Sequence, residues 1–118
     1  MPRQMKLSFE ADGESGRTQV VRVAGKMDAM GATEVWDEVS PMVSAEKPNL
    51  LLDMTGVPYL SSAGITTLIN LLNRAKPLGG KLAIYGCNPT LRKVFRIVAL
   101  EPILNVCETL EEARAKLG

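Results

Sequence analysis

Apolar residues recur along this chain with two different periods, and the changes of period mark its elements. Residues 6–11 and 19–25 are short runs rich in alternating or β-branched positions, which predict two strands. Asp12-Gly13-Glu14-Ser15-Gly16 between them is turn chemistry, so the two strands form a hairpin. Asp28 stands where it can cap a helix. Ala32, Val35, Trp36, Val39 and Val43 follow at roughly helical spacing and predict a helix to about Ser44, with Pro41 able to kink or shorten it. Leu50-Leu51-Leu52-Asp53-Met54 is the continuous apolar run of a strand buried on both faces, and residues 55–60 read as a loop. Ile65, Leu68, Ile69 and Leu72 fall at i, i+3, i+4 and i+7, with Leu71 widening the stripe. They predict an amphipathic helix that opens at Ser61-Ser62-Ala63-Gly64 and stops at Pro77-Leu78-Gly79-Gly80. Residues 81–86 predict the next strand.

Asn88 or Thr90 then caps a helix whose apolar face is Leu91, Val94, Phe95 and Val98, broken by Glu101-Pro102. Residues 103–107 predict a last short strand. Thr109 caps a final helix, with Glu111 and Glu112 in its first turn and Arg114 and Lys116 toward its end, a charge order that suits the helix dipole. After the hairpin, strands alternate with helices, and that order predicts an α/β domain with helices packed on a mostly parallel sheet. No linker, repeat or low-complexity stretch divides the 118 residues, so they are expected to form one domain, with an ordered core of about residues 5–117.

Composition narrows the chemistry. Histidine is absent, which excludes a His-based triad, a His general base and an HExxH zinc site. Fourteen basic against thirteen acidic residues leave a net charge of +1, so nothing overall draws the chain to nucleic acid or an anionic membrane. Cys87 and Cys107 form neither a CxxC pair nor a metal cluster; each adjoins an apolar strand-like stretch and is expected as a reduced, buried thiol. No long apolar segment opens the chain or approaches a membrane span, so a cytoplasmic location is expected.

Two catalytic readings of the glycines and serines fail on spacing. There is no GxxxxGK[ST] loop and no GxGxxG after a strand, and Gly79-Gly80 precedes a strand instead of opening a helix. Ser61-Ser62-Ala63-Gly64 sits at a strand–loop–helix junction, but it is not G-x-S-x-G and no base is placed to activate a serine. A serine at that junction has two remaining readings. It is a plain N-cap, or it is a phosphate acceptor at a helix start whose free N–H groups receive the modified side chain. A small-ligand-binding α/β module stays open as well.

The stretch Leu51-Leu52-Asp53-Met54-Thr55-Gly56-Val57-Pro58-Tyr59-Leu60-Ser61-Ser62-Ala63-Gly64-Ile65 resembles the central motif of the STAS family, the anti-sigma-factor antagonists and their relatives. On that motif Ser62 matches the phosphorylatable serine and Gly64 the glycine of the first helical turn, while Ser61 stands where many members have aspartate. Gly25-Lys26-Met27-Asp28-Ala29, Gly79-Gly80-Lys81-Leu82 and Asn88-Pro89-Thr90-Leu91-Arg92-Lys93-Val94-Phe95 resemble further family stretches in the same order, and Ala99-Leu100 replaces the usual Gly-Leu.

The resemblance implies a STAS-like fold with a sheet of about five strands and about four helices. It implies a partner-switching regulator, not an enzyme, with no cofactor and no metal. The dephosphorylated form would bind a GHKL-type serine kinase that is also an anti-sigma factor and release that kinase's client. Phosphorylation of Ser62 would end binding, and a PP2C-type phosphatase would reset it. The implied partner-binding residues are Asp28, Thr55, Ser61, Ser62, Ala63 and Gly64, without nucleic acid or direct membrane contact. Asp28 reads equally as a helix cap or as part of that interface, because loops after parallel strands share one sheet edge. The rival within the family is a non-switching STAS subunit of a larger assembly, such as a lipid-transport complex or a stressosome-like scaffold.

Overall fold

The computed structural model describes residues 3–12 and 16–117. Five strands form one sheet in the order β1 (Lys6–Asp12), β2 (Thr18–Ala24), β3 (Asn49–Gly56), β4 (Leu82–Tyr85), β5 (Val106–Cys107). β1 and β2 pair antiparallel, and every other pairing is parallel. The expected hairpin is present; the residues of its turn, 13–15, lie outside the described ones. The Leu-rich run takes the central position, as its continuous apolarity predicts. Leu50, Leu51 and Leu52 are all fully buried because both faces of β3 are covered.

Alternation divides those leucines between two cores. Leu50, Leu52 and Met54 join the larger core with Val21, Val23, Leu68, Leu71 and Phe95, beneath helices α1 (Ala29–Val39), α2 (Ser62–Ala75), α3 (Pro89–Ile97) and α4 (Glu101–Leu104). Leu51 faces the other way, with Val20, Ala83, Cys107, Ala113 and Leu117 beneath α5 (Leu110–Leu117). No helix among the described residues is long and apolar enough to cross a membrane.

Several boundaries and faces differ from expectation. α1 ends at Val39, not near Ser44. Pro41 sits in a 3₁₀ turn, Ser40–Met42, because a proline brings no N–H to the α-helical ladder and crowds the preceding turn. Val43 still reaches the core from beyond that turn. The buried stripe of α2 is Gly64, Thr67, Leu68, Leu71, Leu72 and Ala75, with Ile65 and Ile69 only half-buried at its margin. The stripe is rotated because α2 packs along α1 as well as on the sheet, bringing the Thr67 hydroxyl to the Ala32 carbonyl (3.5 Å). On α3, Val98 is exposed rather than part of the apolar face.

The expected break at Glu101-Pro102 is instead the start of the single turn α4, with Pro102 in its first turn, where its missing N–H is harmless. Residues 103 and 104 therefore belong to this helix and not to the last strand, which shrinks to Val106–Cys107. Asn105 makes the change of direction, with φ of 49°, a conformation asparagine tolerates better than most residues. Its side-chain amide donates to the Leu82 carbonyl (2.8 Å) and holds β5 against β4. Of the two candidate caps for α3, Asn88 accepts from the Leu91 N–H (2.8 Å). The Thr109 hydroxyl accepts from the Glu112 N–H at the start of α5 (3.1 Å).

Cys107 is buried, Cys87 is half-buried, and both are free thiols. Burial pushes Cys87 up to about 12, which keeps it protonated and unreactive.

Candidate functional site

β2 and β3 are parallel neighbours, so the loops that follow them emerge side by side at one end of the sheet. The ladder continues past both strands: the Gly25 N–H donates to the Gly56 carbonyl (3.0 Å), and the Met27 N–H to the Tyr59 carbonyl (3.0 Å). Gly25 makes the turn out of β2 with φ of +124°, and a Cβ there would lie 2.6 Å from the Gln4 carbonyl oxygen. The first of these loops leads into α1 and the second into α2. Both helix starts therefore lie together.

The two adjacent serines do different things. Ser61 is the N-cap of α2: its Oγ accepts from the Gly64 N–H (3.2 Å) and donates to the Met27 carbonyl (2.8 Å). The Ser61 N–H donates to that same carbonyl (2.9 Å). Ser61 is thus half-buried and committed to joining the two loops. Ser62, the residue matched to the phosphate acceptor, is not the cap. It is the first helical residue, exposed, and its hydroxyl has no hydrogen-bond partner among the described residues. The first turn of α2 carries no acidic side chain, so the positive end of the helix dipole is not offset there.

Gly64 permits this close seating. A Cβ at position 64 would stand 2.5 Å from Leu60 Cδ1 and 2.9 Å from the Met27 carbonyl oxygen, the acceptor that joins the loops. Gly64→Ala is therefore expected to push the start of α2 off the Met27 loop, at a cost of about 1–3 kcal/mol. Thermal unfolding measures the cost, and the amide shifts of Met27 and Ser61 report the displacement. Unchanged shifts with full stability would show that the helix start has more room than this.

Asp28 caps α1, its Oδ1 accepting from the Gly31 N–H (3.0 Å) and the Gln4 side-chain amide (2.6 Å). The Gly31 N–H above all, joined by Gln4, holds its carboxyl below the usual aspartate range. Gln4 also donates from its side chain to the Lys26 carbonyl (2.8 Å). The Gln4 and Met5 N–H groups donate to the Glu34 carboxylate, lowering that group too. Residues 4–5 thus strap the Lys26–Asp28 loop to α1. Sequence reasoning missed Met27, Gln4 and Glu34. Two act through backbone carbonyl or amide groups, and Gln4 and Glu34 are thirty residues apart with no pattern relating them.

Exposed apolar side chains flank the serines: Tyr59 (51% exposed) on the β3–α2 loop and Met30 (45%) in the first turn of α1. From there an open groove of about 350 Å³ runs between the two helices, lined on one side by Ala29, Ala32 and Thr33 and on the other by Ala63, Thr66 and Thr67.

Asp28, Ser61, Ser62, Ala63 and Gly64 are therefore together. Thr55 is not with them. Its N–H and hydroxyl both donate to Asp53, two residues earlier on β3, and it borders a depression on the open sheet face with Lys6, Arg22 and Gly56. Burial raises Asp53, but the bonds from Thr55 and from the Tyr85 hydroxyl (3.0 Å) outweigh it and leave the carboxyl below its ordinary value.

Comparison with known proteins agrees with this geometry. The sequence profile of the STAS domain matches residues 11–113. An anti-sigma-B factor antagonist of Listeria monocytogenes is 26% identical over 102 residues, covering 86% of this chain and 90% of that protein. The crystal structure of an anti-sigma factor antagonist from Mycobacterium paratuberculosis superposes with a TM-score of 0.80 at 22% identity, over 99% of this chain and 97% of that one. The Bacillus cell fate determinant SpoIIAA, solved in its phosphorylated form, superposes with a TM-score of 0.67 at 20% identity, over 92% and 98% of the two chains. With the profile running from the end of β1 into α5 and the same fold recovered over nearly the full length, the chain belongs to the STAS domain family.

Proposed function

We propose that this protein is an anti-sigma factor antagonist that works by partner switching, with Ser62 as the phosphate acceptor. The observation that carries this reading is the division of labour between the serines. Ser61 holds the helix start, which leaves the Ser62 hydroxyl exposed and unbonded at the positive end of α2. Relatives named as antagonists, and one solved phosphorylated, support it.

The unphosphorylated protein docks its serine end on a GHKL-type serine kinase that is also an anti-sigma factor. Tyr59 and Met30 supply apolar contact area, and Asp28 and Ala63 border the docked surface. Docking releases the kinase's client. The kinase then transfers the γ-phosphoryl group of ATP to Ser62 Oγ: the new O–P bond forms, the bond to ADP breaks, and the serine proton passes to a base of the kinase. The product carries roughly −1.5 to −2 extra charges, which the free protein accommodates at the helix start but a dry interface does not. Dissociation follows without a change of fold, and a PP2C-type phosphatase hydrolyses the ester.

The test is peptide mapping after incubation with the kinase and ATP. Phosphate is expected on Ser62 alone. Ser61 spends its hydroxyl on Met27 and Gly64, and Thr66 donates its hydroxyl to the Ser62 carbonyl (3.0 Å). Phosphate on Ser61 or Thr66, or on neither serine, overturns the assignment.

A further inference from the structure

We propose that β1 is a pairing edge for a second copy of this chain, joined antiparallel about a twofold axis through Ser8. β1 is an end strand of the sheet, seven residues long, and its register against β2 runs unbroken from Lys6↔Ala24 to Asp12↔Thr18. An edge of that length with neither proline nor bulge is a ready template for another strand.

The residues on it choose the partner. In Lys6-Leu7-Ser8-Phe9-Glu10 the twofold sets Lys6 opposite Glu10 of the other copy, Glu10 opposite its Lys6, and Ser8 opposite itself. Lys6, Ser8 and Glu10 are exposed on one face, where opposite charges across the strands attract. Lys6 has no ion-pair partner among the described residues, while Glu10 is paired only at the surface, with Arg22 (2.9 Å). On the other face Leu7 meets Phe9 of the second copy. Both are half-buried against the main core, so pairing covers their remaining surface and carries that core into the neighbour. A one-residue slip would oppose Lys6 to Phe9 and break every one of these matches.

The contact is isologous and closed. Five paired residues span only about 17 Å, so the contact is small and the dimer weak. None of residues 6–10 belongs to the serine site, so each dimer displays two such sites. The pairing does not depend on the reading of Ser62.

Cysteine cross-linking and sedimentation of the full chain test it. Ser8→Cys should form a disulfide dimer under mild oxidation, because directly opposed residues have Cα atoms about 4.5–5.5 Å apart. Lys6→Cys should not, since the two copies of position 6 lie four residues out of register. In sedimentation, Lys6→Glu and Glu10→Lys should each weaken the dimer about tenfold, and the double exchange should restore it. Circular dichroism checks that each variant is folded. Monomer at every concentration, equal cross-linking at positions 6 and 8, or a double exchange that fails to restore the dimer overturns the proposal.

Discussion

Ser62→Asp is expected to bind the kinase-type anti-sigma factor at least about tenfold more weakly than Ser62→Ala, although the aspartate variant is the more stable of the two. The first half follows from charge. A carboxylate at position 62 enters a docked interface with its hydration removed, and ~1.4 kcal/mol of that penalty is already a factor of ten. The second half follows from position. Ser62 is exposed and is not the cap, so Ser62→Ala removes no hydrogen bond of the fold and should change stability by no more than about 0.5 kcal/mol. Aspartate in the first turn of a helix gains roughly 0.3–1 kcal/mol from the dipole. Calorimetry of both variants against the kinase, beside thermal unfolding of each alone, reads the two effects separately. Equal affinities would place Ser62 outside the interface, and the protein would then be a STAS subunit that does not switch.

Leu68→Ala is expected to destabilise the domain by about 2–5 kcal/mol, a large share of the roughly 5–15 kcal/mol that such a domain has. Leu68 is 1% exposed in the main core. Its neighbour Ile69 matches the helical period equally well in sequence, yet it is only half-buried, so Ile69→Ala should cost less than half as much. Denaturant titration of the pair tests the orientation of α2, which also sets where Ser62 points. Equal losses would mean that the helix is rotated toward the face implied by periodicity alone.

That comparison shows where pattern stops informing. Periodicity located α2 and its start because burying an apolar stripe demands a 3.6-residue repeat. It did not locate the centre of the stripe, because α2 packs on α1 as well as on the sheet, and a sequence does not say which helix lies alongside. The end of the chain shows the same limit. Residues 103–107 have strand-like composition, but Pro102 favours a helix start, and the left-handed turn at Asn105 postpones the strand to Val106.

The candidate site was legible as a motif and illegible as a mechanism of support. Ser62 and Gly64 were singled out by the resemblance to the STAS motif, and Asp28 by its residue type ahead of a helix, where it does cap α1. Thr55 stood in the same motif, yet it binds Asp53 because β3 runs two residues past the expected end and keeps Thr55 on the strand.

Linear pattern was enough for the order of the five strands and the four longer helices, the central strand, the capping residues Asp28 and Thr109, and the junction where chemistry was to be sought. These rest on interactions within a few residues of one another, which a linear pattern records. It took the packed fold to show that Ser61 and not Ser62 holds the helix start, that the Met27 carbonyl receives it, and that Gln4 and Glu34 brace the neighbouring loop. Those contacts join residues about thirty positions apart, and in the bonds of Ser61 to Met27 and of Glu34 to residues 4 and 5 one partner is a backbone carbonyl or N–H. The type of the residue offering that backbone group does not mark the bond in advance, and Ser61 meets Met27 because β2 and β3 lie side by side.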